Sequence, residues 1–224
     1  MKPFGIFLSG CGYKNGTDIW EAVLLNYFLE GRKIKAISFS SQPYNPDRSD
    51  NSEKSSQTVP SNFFYEMALI SRDKLKELKE ISSETFSALI FLGGQGLLKN
   101  FTRSDEKNLF LKTEPELKRL IREIYRRKKP MAGCGVASLV IASCLRDIIT
   151  SPLTLTLGND SELSSQLEKM GVNHIITRAE EAVIDSENRI VTTSGSQMKA
   201  NLSELGMGLK NLIDGILELT NKTQ

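Results

Sequence analysis

Three short apolar runs in this chain end in glycine-bearing turns, and that repeated pattern constrains the fold more than any other feature. Phe4–Leu8 runs into Ser9-Gly10-Cys11-Gly12, Ala88–Leu92 into Gly93-Gly94-Gln95-Gly96, and Met131–Cys134 into Gly135. Apolar runs this short, closed by turn residues, read as buried strands. Helical stretches lie between them. Thr17 or Asp18 can cap a helix that carries Glu21 in its first turns, takes its apolar faces from Ile19, Trp20, Val23, Leu24, Tyr27 and Phe28, and stops at Gly31. The spacing over Thr113–Arg127 places Leu117, Leu120, Ile121 and Ile124 on one helical face. Ala200–Leu219 reads as a long final helix, with Gly206, Gly208 and Gly215 as close-packing points. Ile34–Phe39 reads as a strand, Asn62–Ile70 as a helix and Asp73–Ser83 as a charged helix or loop. Thr154–Leu157 and His174–Ile176 read as strands around a helix, Glu162–Met170, and Ala182–Asp185 with Ile190–Thr193 as a hairpin. Strands that alternate with helices from end to end predict an α/β fold: a mostly parallel central sheet, helices on both faces and a small β-hairpin addition.

The totals bound the function. A chain of 224 residues suits one domain, residues 1–224, and its 39% hydrophobic and 25% charged residues are ordinary for a globular protein. A net charge of +2 makes no case for nucleic acid or an anionic membrane as partner. Cys11, Cys134 and Cys144 have no paired spacing, which fits a reducing compartment better than a disulfide framework. With His174 as the lone histidine they spell no zinc site, so no metal is expected. The apolar start of the chain is interrupted by Gly and Ser and reads as a strand rather than a signal peptide or a span, so a cytoplasmic location is expected. Ser40–Ser61 is a long polar excursion.

Ligands of parallel sheets bind beyond the carboxyl ends of the strands. The loops Ser9–Gly12, Gly93–Gly96 and Cys134–Gly135 all follow strands and should therefore meet at one edge. The stretch Lys129–Leu139 is written as a strand, a sharp turn and a helix, the arrangement that displays a nucleophile at a turn. In such a site Cys134 would be the nucleophile, with its pKa lowered by the helix N-terminus. Glu21 would handle protons, and the amides of Gly93 and Gly94 would stabilise an oxyanion. Each residue also has a plainer reading. A cysteine in an apolar strand is commonly an inert core residue, Gly-Gly after a strand is commonly a turn, and a lone Glu is mostly exposed. The run GQGLLKN carries no phosphate-binding fingerprint, and His174 reads as structural.

GIFLSGCG, IWEAVL, FLGGQGLLKN, KKPMAGCGVAS, LTLGND, EKMGVNH and RIVTT, taken together and in order, resemble the ElbB family. That family is described as isoprenoid-biosynthesis, glyoxalase-like, within the PfpI-type, class I glutamine amidotransferase-like superfamily. The resemblance implies a flavodoxin-like three-layer sandwich, often dimeric, and a cofactor-independent, metal-free lyase that converts small dicarbonyls to hydroxy acids. It implies a nucleophile elbow, a helix carboxylate matched by Glu21, an oxyanion pair matched by Gly93 and Gly94, and a second thiol matched by Cys11. The elbow departs from the pattern. Both flanks put Gly135 in the nucleophile's place and Cys134 one position early, and strand alternation would then aim Cys134 away from the crevice. Glycine there relieves backbone strain and removes the nucleophile together. The expectation is therefore glyoxalase-type activity that is weak or lost. The alternative is a non-catalytic relative that binds a small molecule or protein, or senses oxidants, at the same crevice. Glutamine amidotransfer is disfavoured because it would need a Cys-His-Glu arrangement, and the sole histidine, His174, is not in the expected place after the elbow.

Overall fold

The computed structural model describes residues 1–44, 63–71, 74–104, 111–159 and 161–222. Most of the polar excursion Ser40–Ser61 lies outside the described residues. The elements in chain order are β1 (Phe4–Phe7), α1 (Ile19–Gly31), β2 (Ala36–Ser40), α2 (Phe63–Ser71), β3 (Lys76–Glu77) and β4 (Ala88–Phe91). Then come α3 (Gly96–Phe101), β5 (Thr102–Ser104), β6 (Leu111–Thr113), α4 (Pro115–Arg126), β7 (Met131–Cys134) and α5 (Ala137–Leu145). The chain continues with β8 (Thr154–Gly158), α6 (Glu162–Lys169), β9 (Asn173–Ile176), β10 (Ala182–Asp185), β11 (Ile190–Thr193) and α7 (Leu202–Asn221).

Seven strands form the central sheet in the order β10-β11-β7-β4-β1-β2-β3, parallel throughout except for the β10–β11 pair. The expected hairpin is thus an extension of the main sheet, because β11 continues the parallel ladder beside β7. Helices α1 and α7 pack together, as do α4 and α5, which gives the flavodoxin-like sandwich its outer layers. The middle strands β1, β4 and β7 are buried along their whole length, as their near-continuous apolar runs require. In α4, Leu117, Leu120, Ile121 and Ile124 are the buried face, as their spacing predicts. A cluster of edge-to-face rings, Phe7 with Phe39 and Phe101, fills the core beside β1.

One of two open readings is selected and one local expectation changes. The Asp73–Ser83 segment, read as a charged helix or loop, holds where described the two-residue β3 and short 3₁₀ turns, which fits the loop alternative. In α1 the buried residues are Glu21, Ala22, Leu25 and Leu29, while Trp20, Val23 and Tyr27 remain 60%, 53% and 69% exposed. The helix is apolar nearly all round, so its periodicity does not say which face turns inward. The buried face is the one whose carboxylate finds donors in the loops beyond the sheet.

Registry aligns the strand ends. Phe7 lies beside Phe91, Phe91 beside Gly133, and Cys134 beside Thr193. The loops after β1, β4, β7 and β11 therefore open on the same edge. Of the glycines in α7, a Cβ on Gly208 would stand 2.3 Å from the Ala179 carbonyl oxygen, whereas one on Gly206 would meet only Leu24, at 3.7 Å. Gly208→Ala is expected to lower stability by about 1–3 kcal/mol through overpacking. Gly206→Ala should be neutral or raise it by about 0.5–1 kcal/mol through helix propensity. Thermal unfolding followed by circular dichroism checks the pair, and equal effects would contradict this packing.

Candidate functional site

The site is organised around Glu21. Asp18 caps α1, its Oδ1 accepting from Trp20 N at 2.8 Å and Glu21 N at 3.1 Å. The Asp18 N–H in turn donates to the Gly93 carbonyl at 3.0 Å. This pins the first turn of α1 against the end of β4 and drives the Glu21 side chain inward, where the residue is fully buried. Its Oε2 accepts from Gly93 N at 2.7 Å. Its Oε1 accepts from both Ser196 N and Ser196 Oγ, each at 2.7 Å. Burial pushes the Glu21 carboxyl up from the usual carboxylate range, against the pull of the Ser196 and Gly93 donors. An acidic group in the first turn of a helix is also favoured by the helix dipole.

Cys134 is the last residue of β7 and is fully buried. Its side chain lies close to the Glu21 carboxylate, both being in contact with the bare Cα of Gly195, and the carboxylate and the Gly93 amide both bear on its pKa. The sequence expectation that strand alternation aims Cys134 away is thus corrected: the carboxylate lies on the side that Cys134 faces. Burial first, then the Glu21 charge and its hydrogen bond, hold the thiol well above its usual pKa, so it is a neutral donor at pH 7. Positive φ falls on Gly135, at +53°. A Cβ there would stand 3.0 Å from the Ser194 carbonyl oxygen and 3.3 Å from Gln197 Cβ, so the space over the turn is already occupied. Gly94 packs against the Gly16–Asp18 backbone, where an added Cβ would be 2.3 Å from the Gly16 carbonyl oxygen. Cys11 sits in the β1–α1 loop, partly exposed, and its pKa is raised by burial and by Glu66 of α2. His174 is structural, as expected: its Nε2 accepts from Leu157 N at 3.2 Å on the adjacent strand. Among the described residues, no group of three or more His, Cys, Asp and Glu side chains is placed to hold a metal.

The structure adds a fourth loop that sequence reasoning passed over, Ser194-Gly195-Ser196-Gln197 after β11. Gly195 adopts φ +52°, and a Cβ there would lie 2.5 Å from Glu21 Oε1 and 3.0 Å from Cys134 Cβ. Only glycine lets the loop close this tightly over the carboxylate and thiol. The available signal was the pattern already used for the other three loops, a short apolar strand running into a glycine turn. Beside this loop is a cavity of about 450 Å³ lined by Tyr13, Asp18, Trp20, Ser196, Met198 and Lys199, among others. A smaller one, of about 320 Å³, shares Gln197, Met198 and Lys199 and is walled by Leu157, Asn159 and Ser161. Neither cavity is lined by Glu21 or Cys134, which lie behind the loop.

The parallel sandwich brings a carboxylate and a cysteine together beside a strand-to-helix turn, and comparison with known proteins finds relatives with this fold. No family model matches the chain. The mitochondrial ES1 protein homolog of Rattus norvegicus is 27% identical over 235 residues, covering 97% of this chain and 84% of the relative. The human mitochondrial glutamine amidotransferase-like class 1 domain-containing protein 3 is 27% identical over 227 residues, covering 97% and 83%. A solved isoprenoid biosynthesis protein with an amidotransferase-like domain from Ehrlichia chaffeensis superposes with a TM-score of 0.79 at 26% identity, covering 96% of this chain and 99% of that one. Glyoxalase III from Candida albicans shares the fold, with a TM-score of 0.61 at 14% identity, covering 96% and 97%. Over nearly its whole length the chain is similar to class I glutamine amidotransferase-like proteins, and it shares the fold of PfpI and DJ-1 proteins.

One expectation is overturned by these relatives. The rat, human and zebrafish proteins are all named mitochondrial, which conflicts with a plain cytoplasmic location. The apolar run at Phe4–Phe7 is a buried sheet strand. Setting aside a signal peptide or a span does not select one compartment.

Two predictions test the geometry. Cys11 should be alkylated by iodoacetamide well before Cys134 or Cys144, whose thiol burial pushes up to about 11. Peptide mass spectrometry on the native protein reads the order. Glu21→Gln should cost about 1–3 kcal/mol, because the amide's own N–H groups then face either Gly93 or Ser196 donors. Urea unfolding measures that loss.

Proposed function

We propose that the chain is an ElbB-like relative whose glyoxalase-type chemistry on small dicarbonyls is weak or lost. The carrying observation is the turn itself: positive φ belongs to Gly135, while Cys134, one residue earlier, is a sealed neutral thiol. Cysteine-dependent conversion of a dicarbonyl to a hydroxy acid begins with thiolate addition to the aldehyde carbon. It continues with proton transfer between the two carbons, the role that Glu21 would serve. A thiol whose pKa lies well above 9 supplies less than roughly 1% thiolate at pH 7. The Ser194–Gln197 loop also stands between that sulfur and the cavity.

A second reading, a small-molecule-binding or redox-sensing relative that uses the same crevice, is favoured by the apolar and aromatic lining of the larger cavity. The partly exposed Cys11 also supports it. A second copy of the chain as partner is supported by Trp20, Val23 and Tyr27, spaced along the uncovered face of α1. Glyoxal and methylglyoxal turnover by the wild type and Cys134→Ser is the direct test. The expected result is turnover near background in both; robust wild-type turnover abolished by the substitution would overturn the proposal.

A further inference from the structure

Glu21 lies beside two side chains that can act as nucleophiles, Cys134 and Ser196, and Ser196 lines a cavity. Cys134 is sealed behind the Ser194–Gln197 loop. Ser196 is part-buried, and its Oγ donates to Glu21 Oε1 at 2.7 Å while the residue lines the cavity of about 450 Å³. Gly93 N–H fixes the other carboxylate oxygen at 2.7 Å. The order is hydroxyl, base, orienting donor, each link at hydrogen-bond length, which is the arrangement that activates an oxygen nucleophile. The same cavity carries the Lys199 side chain, a positive charge, and the apolar surfaces of Trp20, Met198 and Leu205.

We propose that this site performs acyl transfer on small activated esters, with Ser196 Oγ as nucleophile and Glu21 as general base. Ser196 Oγ forms a bond to the ester carbonyl carbon as its proton passes to Glu21 Oε1. The carbonyl π electrons move to oxygen, where Lys199 is the basic residue among those lining the cavity that can oppose them. Collapse re-forms the carbonyl and breaks the bond to the leaving oxygen, which takes the proton back from Glu21 and departs as an alcohol. Water then repeats the sequence on the acyl-serine, giving a carboxylic acid and free Ser196. Burial, which raises the Glu21 carboxyl, makes it a stronger base than an exposed carboxylate. The activity uses no thiol and stands apart from the dicarbonyl reading.

The test is p-nitrophenyl acetate hydrolysis and fluorophosphonate labelling of the full chain, after iodoacetamide treatment to silence the accessible thiol. The expected result is one phosphonyl adduct mapped to Ser196 by mass spectrometry. p-Nitrophenol release should fall roughly 100-fold in Ser196→Ala and in Glu21→Gln. A serine that only clamps the loop to the carboxylate gives no adduct. Absence of label at Ser196 in the wild type, or release that survives Ser196→Ala, overturns the proposal. If Ser196→Ala fails to fold, the adduct map of the wild type decides alone. Dicarbonyl turnover by Cys134→Ser is measured separately, so failure of either reading leaves the other standing.

Discussion

The peptide group of Gly93 joins the sheet to the site. Its carbonyl receives the Asp18 N–H and its own N–H is given to Glu21, so one residue at the end of the central strand β4 holds both the start of α1 and the carboxylate that α1 carries. A side chain on Gly93 would stand 2.6 Å from Glu21 Oε1. This close approach is what allows a formally charged group to sit with no exposure. Without the amide, only the two Ser196 donors would be set against the desolvation cost of the buried carboxylate.

From that anchor the site reads as layers. The sheet supplies Cys134 from beneath, α1 supplies Glu21 from the side, and the loop after β11 closes over both. Gly135 and Gly195, at φ +53° and +52°, let two chain segments meet where side chains would collide. The loop is held at both ends, by β11 in the sheet and by the capping box of Asn201 and Glu204 that starts α7. Its chemistry faces two ways: inward, Ser196 satisfies the carboxylate; outward, the same residue forms cavity wall.

Much of the fold was legible in the sequence because it rests on local periodicity. The strand at Ala88–Phe91, the buried stripe of α4 and the β10–β11 hairpin all follow from residues close in the chain. Shorter pieces were not: β3 and the β5–β6 hairpin are too brief to carry a pattern, and α1 is apolar on every side. Within the site, Glu21, Gly93, Cys134 and Gly135 were found because each follows or faces a recognisable strand end. Ser196 was missed because its meaning comes from a contact 175 residues away in the chain, which no local pattern records. The inward aim of Cys134 was misjudged for a related reason. Alternation says which side of a strand a residue faces, but not which side the carboxylate will reach.

Glu21 is therefore a keystone of the fold, tying α1, the turn after β4 and the last loop together, and in the chemistry proposed above it would also be the proton-handling group. The structural role stands without any turnover, because removing the carboxylate leaves Gly93 N, Ser196 N and Ser196 Oγ without their acceptor. A glutamate at the start of the first helix is thus accounted for here by packing alone, whether or not the crevice turns a substrate over. The loop that closes over it is confined by the same carboxylate, through the bare Cα of Gly195 and the two donors of Ser196.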